Sequence, residues 1–164
     1  MPDFTLDPRD TVPTEYAIRA ACLALGYPLT QHGLRPWRWQ EMAPAAIEQA
    51  HTEAVDTFVH EAPLVQRLMG MLAEAGIRSS RRRCRVTSYA LKHMAEAYLM
   101  EYVPNGTFIL AAHLQGFRVI PCSPSSPNAF FNMQQSDLNA LADVAHQRRG
   151  DAAMGVTFSR WGFV

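Results

Sequence analysis

Apolar residues recur along most of this chain at spacings of three and four, the pattern of helices that bury one face. The first such stretch is Thr14 to Tyr27, TEYAIRAACLALGY, with Thr14 placed to cap it and Gly26 to end it. YPLTQHGLRPWRWQ follows as a loop rich in turn residues, in which Trp37 and Trp39 bracket Arg38. From Pro44 the helical spacing returns, with Ile47, Ala50, Ala54, Phe58 and Ala62 on one face. Pro63 interrupts it, because proline has no N–H to give to the preceding turn. Residues 44–76 are therefore expected as two helices joined at a bend, the second stopping at Gly76.

A further helix is expected over 89–101, capped by Thr87 or Ser88. Its apolar stripe is Leu91, Met94, Ala95, Tyr98, Leu99 and Tyr102, and Lys92, His93 and Glu96 lie off it. VPNG, 103–106, breaks the pattern. TFILAAHLQ, 107–115, is apolar on nearly every side and reads as a buried helix, with His113 partly buried in it. Gly116 in the left-handed conformation and Phe117 packing back would end it. RVIP and AFFNM read as short strands around CSPSSPN, Ser136 as the cap of a last helix ending at Gly150, and MGVTFSRWGFV as a closing strand. The order predicts a mainly helical α+β fold with a small C-terminal antiparallel sheet, one domain over 13–164, behind a loose leader at 1–12.

Composition narrows the class. The chain has 164 residues, 48% of them hydrophobic and 18% charged, enough for a substantial core. No apolar run is long enough for a membrane helix and the first residues lack a signal-peptide pattern, so a cytoplasmic location without a membrane partner is expected. Cys22, Cys84 and Cys122 are odd in number and far apart, which argues against a disulfide framework or a zinc ribbon. Cys22 reads as core, whereas Cys84 lies among arginines that would lower its pKa if it were exposed. No phosphate loop, dinucleotide fingerprint or hydrolase elbow occurs, so no cofactor is expected. His51 and His60 are nine apart and do not share a helix face. His93 and Glu96 do, but no third metal ligand accompanies them.

The charge is segregated although the net charge is zero. Residues 1–77 carry net −5, residues 78–93 net +6 and residues 94–164 net −1. The basic stretch is RSSRRRCRVTSYALKH, without one acidic residue, and fourteen of the chain's fifteen bases are arginine. Arginine pairs with phosphate or carboxylate through a planar fork. Arg78, Arg81, Arg82, Arg83, Arg85, Lys92 and His93 are accordingly expected as one binding ridge for nucleic acid, or for a protein complex that handles nucleic acid. The competing expectation is a solvated loop, or one paired with the acids of residues 1–77. The acidic half offers a different route, imitation of nucleic acid toward a basic groove. Two further functions fit the composition: a small enzyme using His93 and Glu96, with or without Cys84, and an oligomer held by Trp37, Trp39, Phe130 and Trp161. Base reading by 107–115 is excluded, since FILAA offers no polar side chain to a base edge.

Two resemblances bear on this. The segment from ALKHMAEAYLM to LQGF resembles the L-R-H-x-x-A…LGH segment of tyrosine recombinases. Lys92 stands in place of the arginine, Phe117 replaces the later histidine, and no tyrosine follows Gly116, so strand cleavage on that model is excluded. Separately, TSYALKHMAE, then YVPNGTFILAAHLQGF, then SPNAFFNM resembles a pattern of uncharacterised small proteins from bacterial prophages and conjugative elements. The residues that carry it are Ser88, Tyr89, Leu91, Lys92, His93, Asn105, Gly106, Ile109, Ala111, Ala112, Asn128, Phe131 and Asn132. The resemblance implies a mobile-element setting, in which proteins of this size often act on nucleic acid or block host defence complexes, CRISPR effectors included.

Overall fold

The computed structural model describes residues 11–153, 158–159 and 162–163. Its architecture is mainly helical α+β. The helices are α1 (Glu15–Leu25), α2 (Pro44–His60), α3 (Ala62–Glu74), α4 (Ser88–Leu99), α5 (Asn105–Leu114) and α6 (Gln135–Ala153). Strands β1 (Val119–Pro121) and β2 (Ala129–Phe131) pair antiparallel, with Val119 opposite Phe131 and Pro121 opposite Ala129. A second antiparallel pair, β3 (Phe158–Ser159) and β4 (Gly162–Phe163), replaces the single closing strand expected from 154–164. The rest of the leader, residues 1–10, and Trp161 lie outside the described residues.

Local chemistry accounts for most boundaries. Thr14 caps α1 by accepting from the Ala17 N–H, and Gly26 ends it at φ 72°. Pro63 sits in the first turn of α3, where its missing N–H costs nothing, and the break falls at Glu61. Gly76 follows α3 at φ 62°. Thr87, of the two candidate caps, is the one that caps α4. Gly116 at φ 86° and the Phe117 N–H bonded back to Ala112 O close α5 as expected.

Three boundaries differ from expectation. Asn105 and Gly106 begin α5 instead of separating it from α4, because Pro104 takes the cap position and the Gly106 N–H is given to Gln31 O. α6 begins at Gln135, ahead of Ser136, and continues past Gly150. α4 stops at Leu99, because Met100 adopts the left-handed conformation at φ 59°. Tyr102 therefore leaves the apolar stripe and is exposed.

α5 is the centre of the fold. Residues 105–112 are all buried, and α1, α3, α4 and β1 pack around them. Phe108 meets Phe131 of β2 edge to face at 5.9 Å, tying the central helix to the sheet. α6 covers the far side of α4, where the Arg148 guanidinium lies 3.9 Å from the Tyr98 ring. No helix among the described residues is long and apolar enough to cross a membrane.

Candidate functional site

The left-handed turn at Met100 has a consequence for the polar face of α4. It folds residues 101–105 back along the helix, so that Tyr102 and the Val103 N–H come to lie over Lys92 and Glu96. From the other side arrives the turn Thr30–Gly33, closed by two backbone hydrogen bonds of 2.8 and 3.0 Å. It packs directly on the start of α5: a methyl group on Gly106 would stand 1.7 Å from Thr30 O. The segment at Pro127 seals the third side, its carbonyl accepting from the Leu34 N–H at 2.8 Å. Gly33, at φ 134°, has no room for a side chain against Pro127 O and Asn105.

Between these elements lies a cleft of about 710 Å³, within the usual range for a ligand site. Lys92, Glu96 and Asn105 lie deep in it, and Trp37, Tyr89 and Tyr102 line it with exposures of 69%, 52% and 74%. Lys92 is only 5% exposed. Its ammonium donates to Glu96 Oε1 at 2.7 Å and lies 4.9 Å from the Tyr102 ring and 5.5 Å from that of Tyr89. Glu96 Oε1 also accepts from the Val103 N–H at 3.2 Å, while Oε2 is 2.6 Å from His93 Nδ1. Burial pushes the Glu96 carboxyl up, but the hydrogen bonds from Lys92, Val103 and His93 outweigh it and hold the group below its ordinary value.

The rest of the cleft is fixed by amides. Asn105 donates to His32 O at 2.8 Å and to Asn128 Oδ1 at 3.1 Å, while its own enclosed Oδ1 receives no hydrogen bond from the described residues. Gln31 and Thr107 both donate to Glu61 Oε2, at 3.3 and 2.9 Å, which anchors the 30–33 turn to the break between α2 and α3. The rings of His32 and Trp37 lie 6.1 Å apart and tilted, bracing the exposed indole.

The predicted ridge divides in two. Lys92 was expected on an exposed face with the arginines. It is instead enclosed, because the return of residues 101–105 covers a face that a bare helix would leave in water. His93 is part of the cleft with it. The arginines lie on the loop between α3 and α4, which runs alongside β2 and is held by hydrogen bonds from Ser80 N to Asn132 O and from Cys84 N to Phe131 O. Arg78 is engaged by Asp137 through both carboxylate oxygens, at 2.8 and 3.0 Å. That pairing, with the Arg78 backbone N–H, lowers Asp137 to about 2. Arg83 lies over the Phe130 ring at 4.1 Å. Arg81, Arg82 and Arg85 are exposed, and among the described residues no carboxylate pairs with Arg81, Arg82, Arg83 or Arg85.

Cys84 has no part in an exposed nucleophilic site. It is 2% exposed and its thiol donates to Val86 O at 3.1 Å. His51 and His60 bond to the Leu29 and Asp56 carbonyls, at 2.7 Å each. Among the described residues no three His, Cys, Asp or Glu side chains gather closely enough to hold a metal ion. Of the proposed oligomer contacts, Trp37 is exposed, while Trp39 and Phe130 are partly buried.

Periodicity did not place Gln31, His32 and Trp37 beside Lys92, since they reach the cleft from a distant part of the chain, nor Tyr102, which the turn at Met100 brings back over it. Tyr89, Lys92, His93, Asn105 and Asn128 line this cleft, and Gly106 admits the turn that closes it. Others hold the frame: Ser88 Oγ accepts from the Ala129 N–H, and Asn132 Oδ1 from the Arg118 N–H. No family model, curated protein or solved structure matches the chain.

Proposed function

We propose that the protein is a non-enzymatic binding protein of a mobile element that contacts nucleic acid through the loop between α3 and α4. The observation that carries this reading is the state of its arginines. Arg78 is consumed by Asp137, but Arg81, Arg82, Arg83 and Arg85 stand exposed within five residues, with no carboxylate paired to them among the described residues. Guanidinium groups in that state match phosphate oxygens in charge and in geometry. Backbone bonds to β2 hold the loop on a rigid element, so less order is lost on binding.

The test is the charge-reversed variant Arg81→Glu/Arg82→Glu/Arg83→Glu, titrated with fluorescent single-stranded and duplex oligonucleotides over a range of salt. The native protein is expected to bind with a logarithmic salt slope of about 0.7 to 0.9 per phosphate contacted, and the variant to lose that binding. Unchanged binding by the variant would overturn the reading. Absence of nucleic-acid binding, with capture of a host protein complex that survives nuclease, would move the contact to a nucleic-acid-handling complex, an anti-defence role.

One observation favours a second reading. The contact between His93 Nδ1 and Glu96 at 2.6 Å, inside a cleft, is the pairing that orients a general-base imidazole. Retention of biological activity by His93→Ala and Glu96→Ala would eliminate catalysis at this site.

A further inference from the structure

We infer that the cleft against α4 is a pocket for one unpaired base of the bound strand, selecting bases that carry a ring carbonyl over adenine. This rests on the nucleic-acid reading for its source of ligand, and on the cleft's own chemistry for its selectivity.

Three observations carry it. First, the cleft is lined by large aromatic rings left in water. Trp37, Tyr89 and Tyr102 are three of the seven large apolar side chains exposed among the described residues, and all three line the same 710 Å³. A stacked base would cover that surface, and base–aromatic stacking is the main contact of single-strand binding sites.

Second, the polar groups of the cleft offer unfilled donors, while Asn105 Oδ1, an acceptor without a partner among the described residues, is enclosed. An ammonium has three N–H donors, and among the described residues Glu96 is the one hydrogen-bond acceptor of Lys92. The neighbouring rings attract the charge without filling its donors. An ammonium 5% exposed with donors left over calls for an acceptor from outside. Asn128 Oδ1 accepts from the Asn105 amide, which leaves the Asn128 N–H2 for the cleft. Glu96 is occupied at both oxygens. Thymine, uracil and guanine present carbonyl oxygens to such donors, whereas adenine has ring nitrogens alone to offer them and its exocyclic group is itself a donor.

Third, the cleft and the arginine loop adjoin. Asn128 lines the cleft, and two residues later Phe130 lies beneath the Arg83 guanidinium. Two residues of extended chain span about 7 Å, so one strand reaches both. Exposed aromatics also suit a proline-rich peptide, but the unpaired arginines alongside favour a polyanion.

The experiment compares a short oligothymidine with an oligoadenosine of the same length, by fluorescence polarisation against the native protein, Trp37→Ala and Asn128→Ala. Oligothymidine is expected to bind about tenfold more tightly, the scale of one stacking contact. Trp37→Ala is expected to lose about tenfold on oligothymidine, and Asn128→Ala to erase the preference. Both side chains reach solvent, so both variants should fold, which circular dichroism checks. Equal affinity for the two oligomers, unaffected by Trp37→Ala, overturns the pocket and leaves the arginine reading standing. If neither oligomer binds, the nucleic-acid reading fails and the pocket is tested alone, with thymidine and adenosine monophosphates in NMR titrations. Shifts at Tyr89, Tyr102 and Asn128 with the first nucleotide only would sustain it. No shifts, or displacement by a proline-rich peptide, would sink it.

Discussion

Lys92 and Glu96 form a nearly enclosed ion pair one helical turn apart, Nζ to Oε1 2.7 Å, on a face of α4 that its apolar stripe leaves polar. Lys92 is the chain's one lysine. Lysine fits this position for a physical reason: a compact ammonium can sit between two aromatic rings and a carboxylate, where a planar fork of five donors would leave several unfilled. An enclosed pair of this kind costs much to break and little to replace as a unit. Lys92→Met is therefore expected to destabilise by about 3 kcal/mol, because Glu96 is left enclosed without its cation. Lys92→Met/Glu96→Leu should cost clearly less than the sum of the two single changes. Chemical denaturation of the four proteins checks this, and strict additivity would show that the pair is not coupled.

The two tight glycines of the cleft differ from the open ones. Gly106→Ala is expected to cost about 3 kcal/mol or more, since its methyl group would meet Thr30 O at 1.7 Å and backbone cannot step aside as a side chain can. Gly150 lies within α6 with open space around it, so Gly150→Ala should be neutral or stabilising by up to about 1 kcal/mol. Thermal melts of both variants test the contrast.

Asp137 makes one contribution to stability dependent on pH. Its pKa is lowered by the Arg78 side chain and backbone N–H to about 2, below the ordinary carboxylate value. A depressed carboxylate pKa stabilises fully above the unfolded value, near 4, and the benefit is lost as pH falls through the folded value. The melting temperatures of the native protein and Asp137→Asn should therefore differ by a constant amount above about pH 5 and converge toward pH 2. A gap that stays constant down to pH 2 would show that Arg78 does not hold the carboxylate.

The thiols should rank by access. Burial raises Cys22 to about 11 and encloses it, and Cys84 is enclosed and bonded to Val86 O. Cys122 is partly exposed, although burial raises its pKa too. One thiol is expected to react with a disulfide reagent in the native state, and Cys122→Ser should remove it. Fast labelling of Cys84 would restore the basic loop as a reactive site.

Helices α1 to α3, the start of α4, the end of α5 and the two short strands around CSPSSPN are legible in the order of residues alone, because those boundaries are local events. Thr14 and Thr87 supply cap oxygens, Gly26, Gly76 and Gly116 take positive φ, and Pro63 interrupts a hydrogen-bond ladder. Each acts within about one turn of its own position, so spacing along the chain is enough to read it. The arginine cluster was legible for the same reason, as a count of charge in one short stretch. The cleft, by contrast, exists only through folding. A methionine in the left-handed conformation at Met100 carries no reliable mark in sequence, yet it turns Tyr102 and Val103 back onto Lys92 and Glu96. The Thr30–Gly33 turn and Asn128 arrive from opposite ends of the chain, through a contact that Gly106 permits by lacking a side chain. Helical periodicity assigns Lys92 to a polar face. Whether that face meets water or a neighbouring segment is a non-local matter, and here it meets Tyr102, Val103 and the walls of a pocket.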